Sequence, residues 1–446
     1  MPKMRISVVG TGHVGLTTAA CLAHLGHEVL GVDDDAEKIS LIERGEVPFH
    51  EPGLTELVRG GLDTGRLRVS TETHRAAGHG DVVFISVNTP TRPTGEANLT
   101  AVEQVASMIA RTLEGYTVVA EKSTVPVETG VWIERTISRT AGRDAQFDVA
   151  SNPEFLREGK AVADTLEPER IVVGSSSPKA VELLKEVYRP ILDRTHCPFV
   201  VTDLATAELI KHASNAFLAA KISFVNQLAD VCERTGADVE TVARAMGLDP
   251  RIGSAFLHAG IGYGGACLPK DVQAFKYKAR EVGIEFDLLE AVDRVNRNRI
   301  PVFLDKIRSV VWNLERKKVT LWGLAFKPDT DDLRNAPSLE VARQLLEAGA
   351  SVAVHDPVAM PQAKELLPAD VAFEDNPYEA AENADCLVIC TEWQEYATAD
   401  LDRLRAVMAH PVVVDGRNVY HPERMAEAGF VYASAGRPTV WGVAPD

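Results

Sequence analysis

The sequence predicts an α/β protein in which a long central helix joins two doubly wound domains. Three patterns carry this prediction: a strand-turn-helix-strand unit at the amino end, a second α/β unit beginning at Lys317, and a long run between them that lacks glycine and proline. The chain has 446 residues, which is too long for one hydrophobic core. We therefore predict domains at residues 1–203, 204–300 and 301–446.

The amino-terminal unit has the pattern of a Rossmann-like dinucleotide-binding domain. The strand-like segment RISVVG leads into GTGHVG, in which Gly10, Gly12 and Gly15 form a GxGxxG arrangement. A helical run to Leu25 follows, and then the strand HEVLGVD ends at Asp33. Glycines permit a tight turn and the close approach of a pyrophosphate to the helix N-terminus. An acid at the position of Asp33 accepts hydrogen bonds from a ribose in such units.

The residues around this unit favour NAD over NADP. Asp33 is followed by Asp34 and Asp35, and three acids repel the 2′-phosphate that distinguishes NADP. Two further strands end in polar loops that carry Thr89 and Thr124. Ligands bind beyond the carboxyl ends of parallel strands, so both threonines are predicted to face the cofactor. For either one, a turn or helix-cap role is the alternative.

The carboxyl-terminal unit repeats this outline as a second Rossmann-like domain. The strand KVTLWG is followed by a loop, a helix, and the strands SVAVHD, DCLVIC and PVVVDG. No GxGxxG is present, so this domain must hold its ligand differently. Lys327, Arg334 and Arg417 supply cations at the strand ends, with a solvated surface charge as the alternative for each.

The central run from about 206 to 234 predicts a helix of about 45 Å, at about 1.5 Å per residue. Polar residues interrupt it too often for a membrane span. Lys211 and Asn215 are four apart, so they share one face, although both can simply be solvated. Apolar residues at helical spacing form a strip that packs: Leu209, Ala213, Ala216, Phe217, Ala220, Phe224, Leu228 and Val231.

An acidic segment, SNPEFLREG, precedes this helix. Glu154 and Glu158 are four apart and follow a predicted strand. If the chain turns helical after Pro153, both carboxylates project to one side near the ligand edge of the sheet, where one can act as a base. A surface helix with two exposed acids is the alternative.

The segment GGACLPKD, residues 264–271, is typical of an exposed reactive thiol. Gly264 and Gly265 lie before Cys267, and Pro269 suits the first turn of a helix. The positive end of that helix favours the thiolate, the form that attacks carbon. Asp271 lies one turn further on. A buried cysteine in a glycine-rich loop is the alternative.

Composition excludes several classes of protein. Lysine plus arginine is 47 and aspartate plus glutamate is 64, a net charge of −17, which argues against nucleic acid or an anionic membrane as partner. We find no apolar signal segment and expect a cytoplasmic protein. The six cysteines are scattered without zinc-like spacing, which fits a reducing compartment and no metal.

Taken together, the ordered motifs resemble the UDP-glucose/GDP-mannose dehydrogenase family from end to end. The matching segments are GTGHVGL, EPGL, VNTP, KSTVP, NPEFLREG, KHASNAFLAAKISFVNQLAD, RIGSAFL, GYGGACLPKD, GLAFKPDTDDLR and DGRN. The resemblance implies an NAD-binding domain, a central helix used in homodimerisation, and a carboxyl domain that takes the nucleotide sugar. It also implies oxidation of a primary alcohol to a carboxylate in two hydride transfers.

The resemblance implies a role for each catalytic candidate. Cys267 attacks the aldehyde formed first, and the resulting thiohemiacetal becomes a thioester that water cleaves. Lys211 and Asn215 stabilise the oxyanions. The remaining candidates hold or activate water: Asp271, Thr124 and Glu154. The sequence does not decide between Lys211 and Asp271 as acceptor of the first proton.

Binding residues are implied in the same way. Those for NAD are Gly10, Gly12, Val14, Gly15, Asp33, Lys38, Thr89, Thr124, Glu158 and Arg334. Those for the sugar nucleotide are Phe155, Leu156, Lys211, Asn215, Arg251, Tyr263, Gly264, Phe326, Lys327 and Arg417. Arg251 is expected to reach the site of the partner subunit, while Arg334 contacts NAD from the carboxyl domain.

Departures from the family pattern leave the substrate open. Ala266 replaces a common serine, Leu268 a common phenylalanine, and His13 a tyrosine in the glycine loop. KISFVNQLAD and RIGSAFL favour UDP-glucose, with dTDP-glucose and GDP-mannose as alternatives. Two other classes remain: a two-electron hydroxyacid-type dehydrogenase, which needs no cysteine, and a catalytically silent nucleotide-sugar-binding protein.

Overall fold

The structure is a computed structural model that describes residues 3–142 and 145–442. Met1, Pro2, residues 143–144 and residues 443–446 lie outside the described residues, and they include the ends of the first and last predicted domains. The chain divides into two compact units, Met1–Ser214 with Gln273–Ile284, and Asn215–Val272 with Glu285–Asp446. The three predicted domain boundaries stay predictions.

The first unit contains an eight-stranded sheet in the order β3-β2-β1-β4-β5-β6-β7-β8. Neighbouring strands are parallel, except that β6 and β7 pair antiparallel through Ser151 and Gly174. The strands are β1 (Arg5–Val9), β2 (Glu28–Val32), β3 (Leu67–Ser70), β4 (Val82–Ile85), β5 (Tyr116–Glu121), β6 (Gln146–Ser151), β7 (Ile171–Gly174) and β8 (Phe199–Thr202).

Helices cover both faces of this sheet, as a parallel sheet requires. Along β4 the buried side chains alternate between two cores: Val82 and Phe84 belong to one, and Val83 and Ile85 belong to the other. The helices are α1 (His13–His24), α2 (Ala36–Glu43), α3 (Leu54–Asp63), α4 (Arg75–His79), α5 (Thr100–Thr112), α6 (Thr129–Thr140), α7 (Ala161–Leu166) and α8 (Pro178–Thr195).

The predicted central helix is present as α9 (Leu204–Thr235), a continuous run of 32 residues. It begins in the first unit and continues into the second, whose first residue is Asn215. Three helices follow it: α10 (Val239–Gly247), α11 (Cys267–Glu281) and α12 (Asp287–Val310).

The second unit contains a six-stranded, fully parallel sheet in the order β11-β10-β9-β12-β13-β14. Its strands are β9 (Lys318–Trp322), β10 (Ser351–His355), β11 (Ala372–Phe373), β12 (Cys386–Ile389), β13 (Val412–Asp415) and β14 (Val431–Ser434). Its remaining helices are α13 (Pro337–Glu347), α14 (Met360–Leu366), α15 (Pro377–Ala380), α16 (Gln394–Ala397), α17 (Leu401–Val407) and α18 (Pro422–Glu427).

These two sheets and α9 confirm the predicted fold class. In both sheets the order reverses beside the first strand, β1 or β9, which is the position where doubly wound sheets bind ligands. Within the described residues, every helix is too short or too polar to cross a bilayer.

Candidate active site

The glycine loop between β1 and α1 is built for close packing. Gly10 has φ +92°, and a Cβ at Gly15 would lie 1.8 Å from the carbonyl oxygen of Gly10, so neither position accepts a side chain. A Cβ at Gly12 would meet nothing within 4 Å, so the loop opens there on to free space. Val14 lies in the first turn of α1. This arrangement fits a pyrophosphate resting against the helix N-terminus.

Asp33, directly after β2, is placed to receive a ribose. Its Oδ2 accepts hydrogen bonds from the N–H of Thr11 at 2.7 Å and from the Lys38 ammonium at 3.0 Å. Burial opposes its ionisation, but these hydrogen bonds hold its pKa below the ordinary value. The side chain of Lys38 is partly exposed and can exchange with ribose hydroxyls. The residues of this loop therefore fit a dinucleotide.

The loops that follow β4 and β5 are joined by a hydrogen bond, and the loop after β4 lies against the glycine loop. The hydroxyl of Thr89 donates to the main-chain oxygen of Thr124 at 2.8 Å. The two predicted cofactor-facing threonines are thus neighbours. Their loops follow buried strands, as the sequence predicts.

Two buried acids support the loop that carries Thr124. Glu121, the last residue of β5, accepts the N–H of Ser123 at 2.7 Å with one oxygen, while the other has no hydrogen-bond partner among the described residues. Glu208 on α9 accepts the N–H groups of Glu128 and Gly130, at 2.8 and 2.6 Å, at the start of α6. Burial raises the pKa of Glu121 to about 8 and that of Glu208 to about 7. Sequence patterns did not indicate either acid.

The chain does not turn helical after Pro153, so the condition for placing Glu154 and Glu158 on one helix face is not met. Residues 152–157 form an irregular loop, because the carboxylate of Glu154 turns back to accept the N–H of Leu156 at 2.6 Å, which competes with helix formation. Glu154 and Glu158 therefore share no helix face. Instead, Glu154 forms a buried ion pair with Lys211 at 2.9 Å, and Glu158 is separately buried.

The ring of Phe155 lies between two cations of the first unit. The Lys211 ammonium is 5.5 Å from the ring centroid, and the Arg170 guanidinium carbon is 3.8 Å from it. Burial lowers the pKa of Arg170 from its ordinary value. Arg170 did not emerge from the sequence, because its only local context is the strand β7 that it precedes.

In the second unit, the cysteine loop packs tightly against its neighbours. A Cβ at Gly265, where φ is +79°, would lie 2.8 Å from the ring of Phe326, and one at Gly264 would lie 2.4 Å from the main-chain oxygen of Asn335. Cys267 is exposed and is the first residue of α11, where the helix N–H groups favour an anionic side chain. The other cysteines are buried or half-buried.

Asp271 is one turn beyond Cys267 on α11 and is almost fully buried. Its carboxylate accepts from the amide of Asn215 at 2.5 Å and from the Lys270 ammonium at 2.7 Å. The amide of Asn215 is therefore oriented by an acid. These two predicted residues lie together within the second unit.

Arg417, in the loop after β13, links three other loops of the second unit. Its guanidinium donates to the main-chain oxygens of Cys390, Gly262 and Phe326, at 2.9, 3.1 and 3.3 Å. Buried Asp415 holds the loop in place by accepting main-chain N–H groups, including that of Arg417 at 2.8 Å. The predicted substrate residues Phe326 and Arg417 are thus in contact.

Two further predicted substrate residues lie in the same unit. The Lys327 ammonium is 5.5 Å from the centroid of the Phe326 ring. The main-chain N–H and oxygen of Tyr263 both bond to the side-chain amide of Asn296.

Asp356, after β10, occupies the position in the second sheet that Asp33 occupies in the first. It is buried, and both oxygens are engaged by the protein itself. The donors are the main-chain N–H groups of Leu324, Ala325, Val358 and Ala359 and the indole of Trp393.

Two predicted arginines lie on the surface with their own acids. Arg251 is 88 % exposed and pairs with Asp249, and Arg334 pairs with Asp332. The main-chain oxygen of Arg334 also accepts the N–H of Gly265 at 2.8 Å, which places its loop against the cysteine loop. Across the described residues, no three His, Cys, Asp or Glu side chains come together to hold a metal ion.

Comparison with known proteins identifies the family. Three profiles of the UDP-glucose/GDP-mannose dehydrogenase family match: the NAD binding domain at residues 4–192, the central domain at 205–298, and the UDP binding domain at 320–422. The chain belongs to this family. This confirms the resemblance and the NAD cofactor.

The relatives of this family member match it along its whole length. UDP-glucose 6-dehydrogenase TuaD of Bacillus subtilis is 42% identical over 99% of this chain and 95% of its own. UDP-glucose 6-dehydrogenase of Rhizobium meliloti is 46% identical over 98% of this chain and 100% of its own. The solved UDP-glucose dehydrogenase of Pyrobaculum islandicum is 37% identical, with a TM-score of 0.91 and 98% of each chain covered. The chain is therefore an NAD-dependent nucleotide-sugar dehydrogenase.

Proposed function

We propose that this enzyme oxidises the C6 alcohol of UDP-glucose to the carboxylate of UDP-glucuronate through a covalent intermediate on Cys267. The observation that carries the proposal is the exposed thiol at the first residue of α11, one turn before buried Asp271. A two-electron alcohol oxidation needs no such nucleophile. An aldehyde does, because its carbon must gain a heteroatom before it can lose a second hydride.

The steps balance in atoms and electrons. In each of the two oxidations C6 would lose one hydride to a separate molecule of NAD, which would leave as NADH. In the first oxidation the proton of the C6 hydroxyl passes to a base, for which Lys211 and Asp271 are the two candidates. After the first, the Cys267 thiolate adds to the C6 aldehyde, and the oxygen takes a proton to give a thiohemiacetal. Loss of the second hydride and of that proton gives a thioester. Water then adds to the thioester carbon and the C–S bond breaks. This step regenerates the Cys267 thiol and releases the carboxylic acid.

The other residues serve the charges that develop on oxygen. We assign Lys211 and Asn215, one turn apart on α9, as donors to the oxyanion, since fixed donors in a dry site stabilise developing charge strongly. Asn215 is oriented by Asp271, and Lys211 is held by Glu154. Glu154 activates the water that cleaves the thioester.

Thr124 and the remaining binding residues are assigned to ligand contacts. With Asp271, Thr124 holds a water. Phe155, Leu156, Tyr263, Gly264, Phe326, Lys327 and Arg417 are assigned to UDP-glucose. Gly10, Gly12, Val14, Gly15, Asp33, Lys38, Thr89, Thr124, Glu158 and Arg334 are assigned to NAD. We expect the enzyme to work in the cytoplasm.

The decisive experiment counts NADH against product. We expect wild-type enzyme to form two NADH per UDP-glucuronate, whereas Cys267→Ser releases no UDP-glucuronate. Cys197→Ser, which alters a half-buried cysteine elsewhere, is the matched control. It is expected to release UDP-glucuronate and to form two NADH per sugar, as wild type does. One NADH per sugar with wild type, or acid release by Cys267→Ser, would refute the covalent route.

A substrate panel tests the choice of sugar nucleotide. We expect NADH formation to be fastest with UDP-glucose, for which the curated relatives are named. Preference for dTDP-glucose or GDP-mannose would correct the substrate while keeping the chemistry. Binding of all three without NADH would indicate a silent binding protein.

We also propose a homodimer through α9. Phe217, Phe224 and Val231 are spaced by seven, so they lie on one face, and each is more than half exposed in the single chain. Phe224→Glu is expected to give monomers in sedimentation velocity, whereas Trp312→Ser, at an even more exposed apolar residue, is expected to leave the dimer intact.

Arg251 is assigned to the sugar nucleotide of the partner subunit. Arg251→Ala is expected to raise KM for UDP-glucose and leave the dimer intact. An unchanged KM would remove this assignment.

A further inference from the structure

Glu51 is a buried acid to which the family resemblance described above assigns no role. It lies in EPGL, between α2 and α3, and its side chain is fully buried. A buried carboxylate is costly unless it is well hydrogen-bonded, so its partners indicate why it is there. All of those partners lie in the first unit.

One partner belongs to the glycine loop. His13 is the first residue of α1, between Gly12 and Val14, and its Nε2 is 3.0 Å from Oε2 of Glu51. The imidazole ring stacks on Phe49, with the ring centroids 4.1 Å apart, which fixes the orientation of the ring. Glu51 therefore holds the turn on which the pyrophosphate rests.

The other partners belong to the segment that carries Glu158. The N–H of Gly159 donates to Oε2 of Glu51 at 2.7 Å, and the N–H of Ala161 donates to Oε1 at 2.8 Å. Ala161 is the first residue of α7, so Glu51 also satisfies N–H groups at the start of that helix. Glu51 thus binds directly beside Glu158.

We propose that Glu51 is a positioning residue for NAD that fixes the distance between the glycine loop and the Glu158 segment. The function proposed above assigns both segments to NAD. The glycine loop takes the pyrophosphate, and the family resemblance implies that Glu158 lies near the nicotinamide ribose, a different part of the same dinucleotide. A single carboxylate that bonds to both segments sets the span available to the cofactor. His13 supplies the donor on the glycine-loop side.

The test measures binding of NADH to the enzyme in the absence of sugar, so it is independent of the proposed reaction. Glu51→Gln keeps the size of the side chain but replaces one acceptor oxygen with a donor that faces an N–H group or His13. We expect its Kd for NADH, measured by nucleotide fluorescence, to rise about tenfold. In turnover, KM for NAD rises in step, while KM for UDP-glucose stays within about twofold. Glu56→Gln, at an exposed acid on α3, is the matched control and binds NADH as wild type does.

Variants of His13 test the same contact from the other side. His13→Gln retains a donor at about the reach of Nε2 and is expected to keep wild-type affinity for NADH. His13→Leu removes the donor and is expected to weaken binding about fivefold. If Glu51→Gln does not fold, this pair decides the question.

Three results would overturn the proposal. One is wild-type NADH affinity in a folded Glu51→Gln variant, even with a lowered melting temperature, since that indicates a purely structural role. Another is an equal rise in KM for NAD and for UDP-glucose. The third is equal NADH affinity in His13→Leu and His13→Gln.

Discussion

Replacing Glu121 with glutamine should stabilise the enzyme in alkaline solution. The carboxyl of Glu121 is fully buried at the end of β5, and burial raises its pKa from 4.5 to about 8. Between these values the folded state holds a proton that the unfolded state has released. Stability is therefore fully present below pH 4.5 and is lost as pH rises towards about 8.

The magnitude follows from linkage. While the folded state holds one more proton than the unfolded state, each unit rise in pH lowers the free energy of unfolding by about 1.4 kcal/mol. Between pH 4.5 and about 8 the total loss is on the order of 5 kcal/mol. Glutamine resembles the protonated acid and can still accept the N–H of Ser123. Glu121→Gln should thus match wild type near pH 5 and exceed its stability by several kcal/mol near pH 9.

Urea unfolding, followed by far-ultraviolet circular dichroism across this pH range, measures the effect. The difference between variant and wild type isolates Glu121, because Glu208 and all other groups titrate in both proteins. Glu114→Gln, at an exposed acid two residues before β5 begins, is the control and should give a flat difference. A difference for Glu121→Gln that stays within about 1 kcal/mol from pH 5 to pH 9 would refute the reasoning.

Four further substitutions have defined outcomes. Gly15→Ala places a methyl 1.8 Å from a main-chain oxygen and should lower both melting temperature and NADH affinity, whereas Gly12→Ala projects into open space and should lower only NADH affinity. Lys211→Met strands the buried Glu154 carboxylate and should cost about 3–5 kcal/mol in urea unfolding. Asp415→Asn removes a charged acceptor from several main-chain N–H groups and so displaces the loop that carries Arg417. It should weaken UDP binding, measured by calorimetry.

Local patterns predicted the elements well. The glycine fingerprint and Asp33 located the β1-α1-β2 unit, because that turn needs glycine and the strand needs alternating burial in two cores. The absence of glycine and proline between 206 and 234 predicted α9, which extends from Leu204 to Thr235. Strand-like segments also predicted four strands of the second sheet, β9, β10, β12 and β13, but not β11 or β14. These features depend on residues close together in the chain.

Long-range polar contacts were not predictable in this way. Glu51 meets Gly159 across 108 residues, and Arg417 meets Gly262 across 155, without a local signature for either. The loop after Pro153 could not be predicted because Glu154 bonds to its own main chain and to Lys211, 57 positions later in the numbering. The antiparallel step between β6 and β7 depends equally on the folded sheet.

The acid that follows the second strand has different bonding partners in the two sheets: Asp33 in the first and Asp356 in the second. Asp33 accepts from the partly exposed Lys38 ammonium as well as from main-chain N–H groups, whereas Asp356 accepts from main-chain N–H groups and the buried indole of Trp393. Of these two acids, Asp33 alone has a partly exposed partner, and it is the one assigned above to NAD. In the covalent route proposed above, the reduced dinucleotide departs and an oxidised molecule replaces it between the two hydride transfers, while the sugar stays bound to Cys267. Dinucleotide exchange thus becomes a step that can limit turnover.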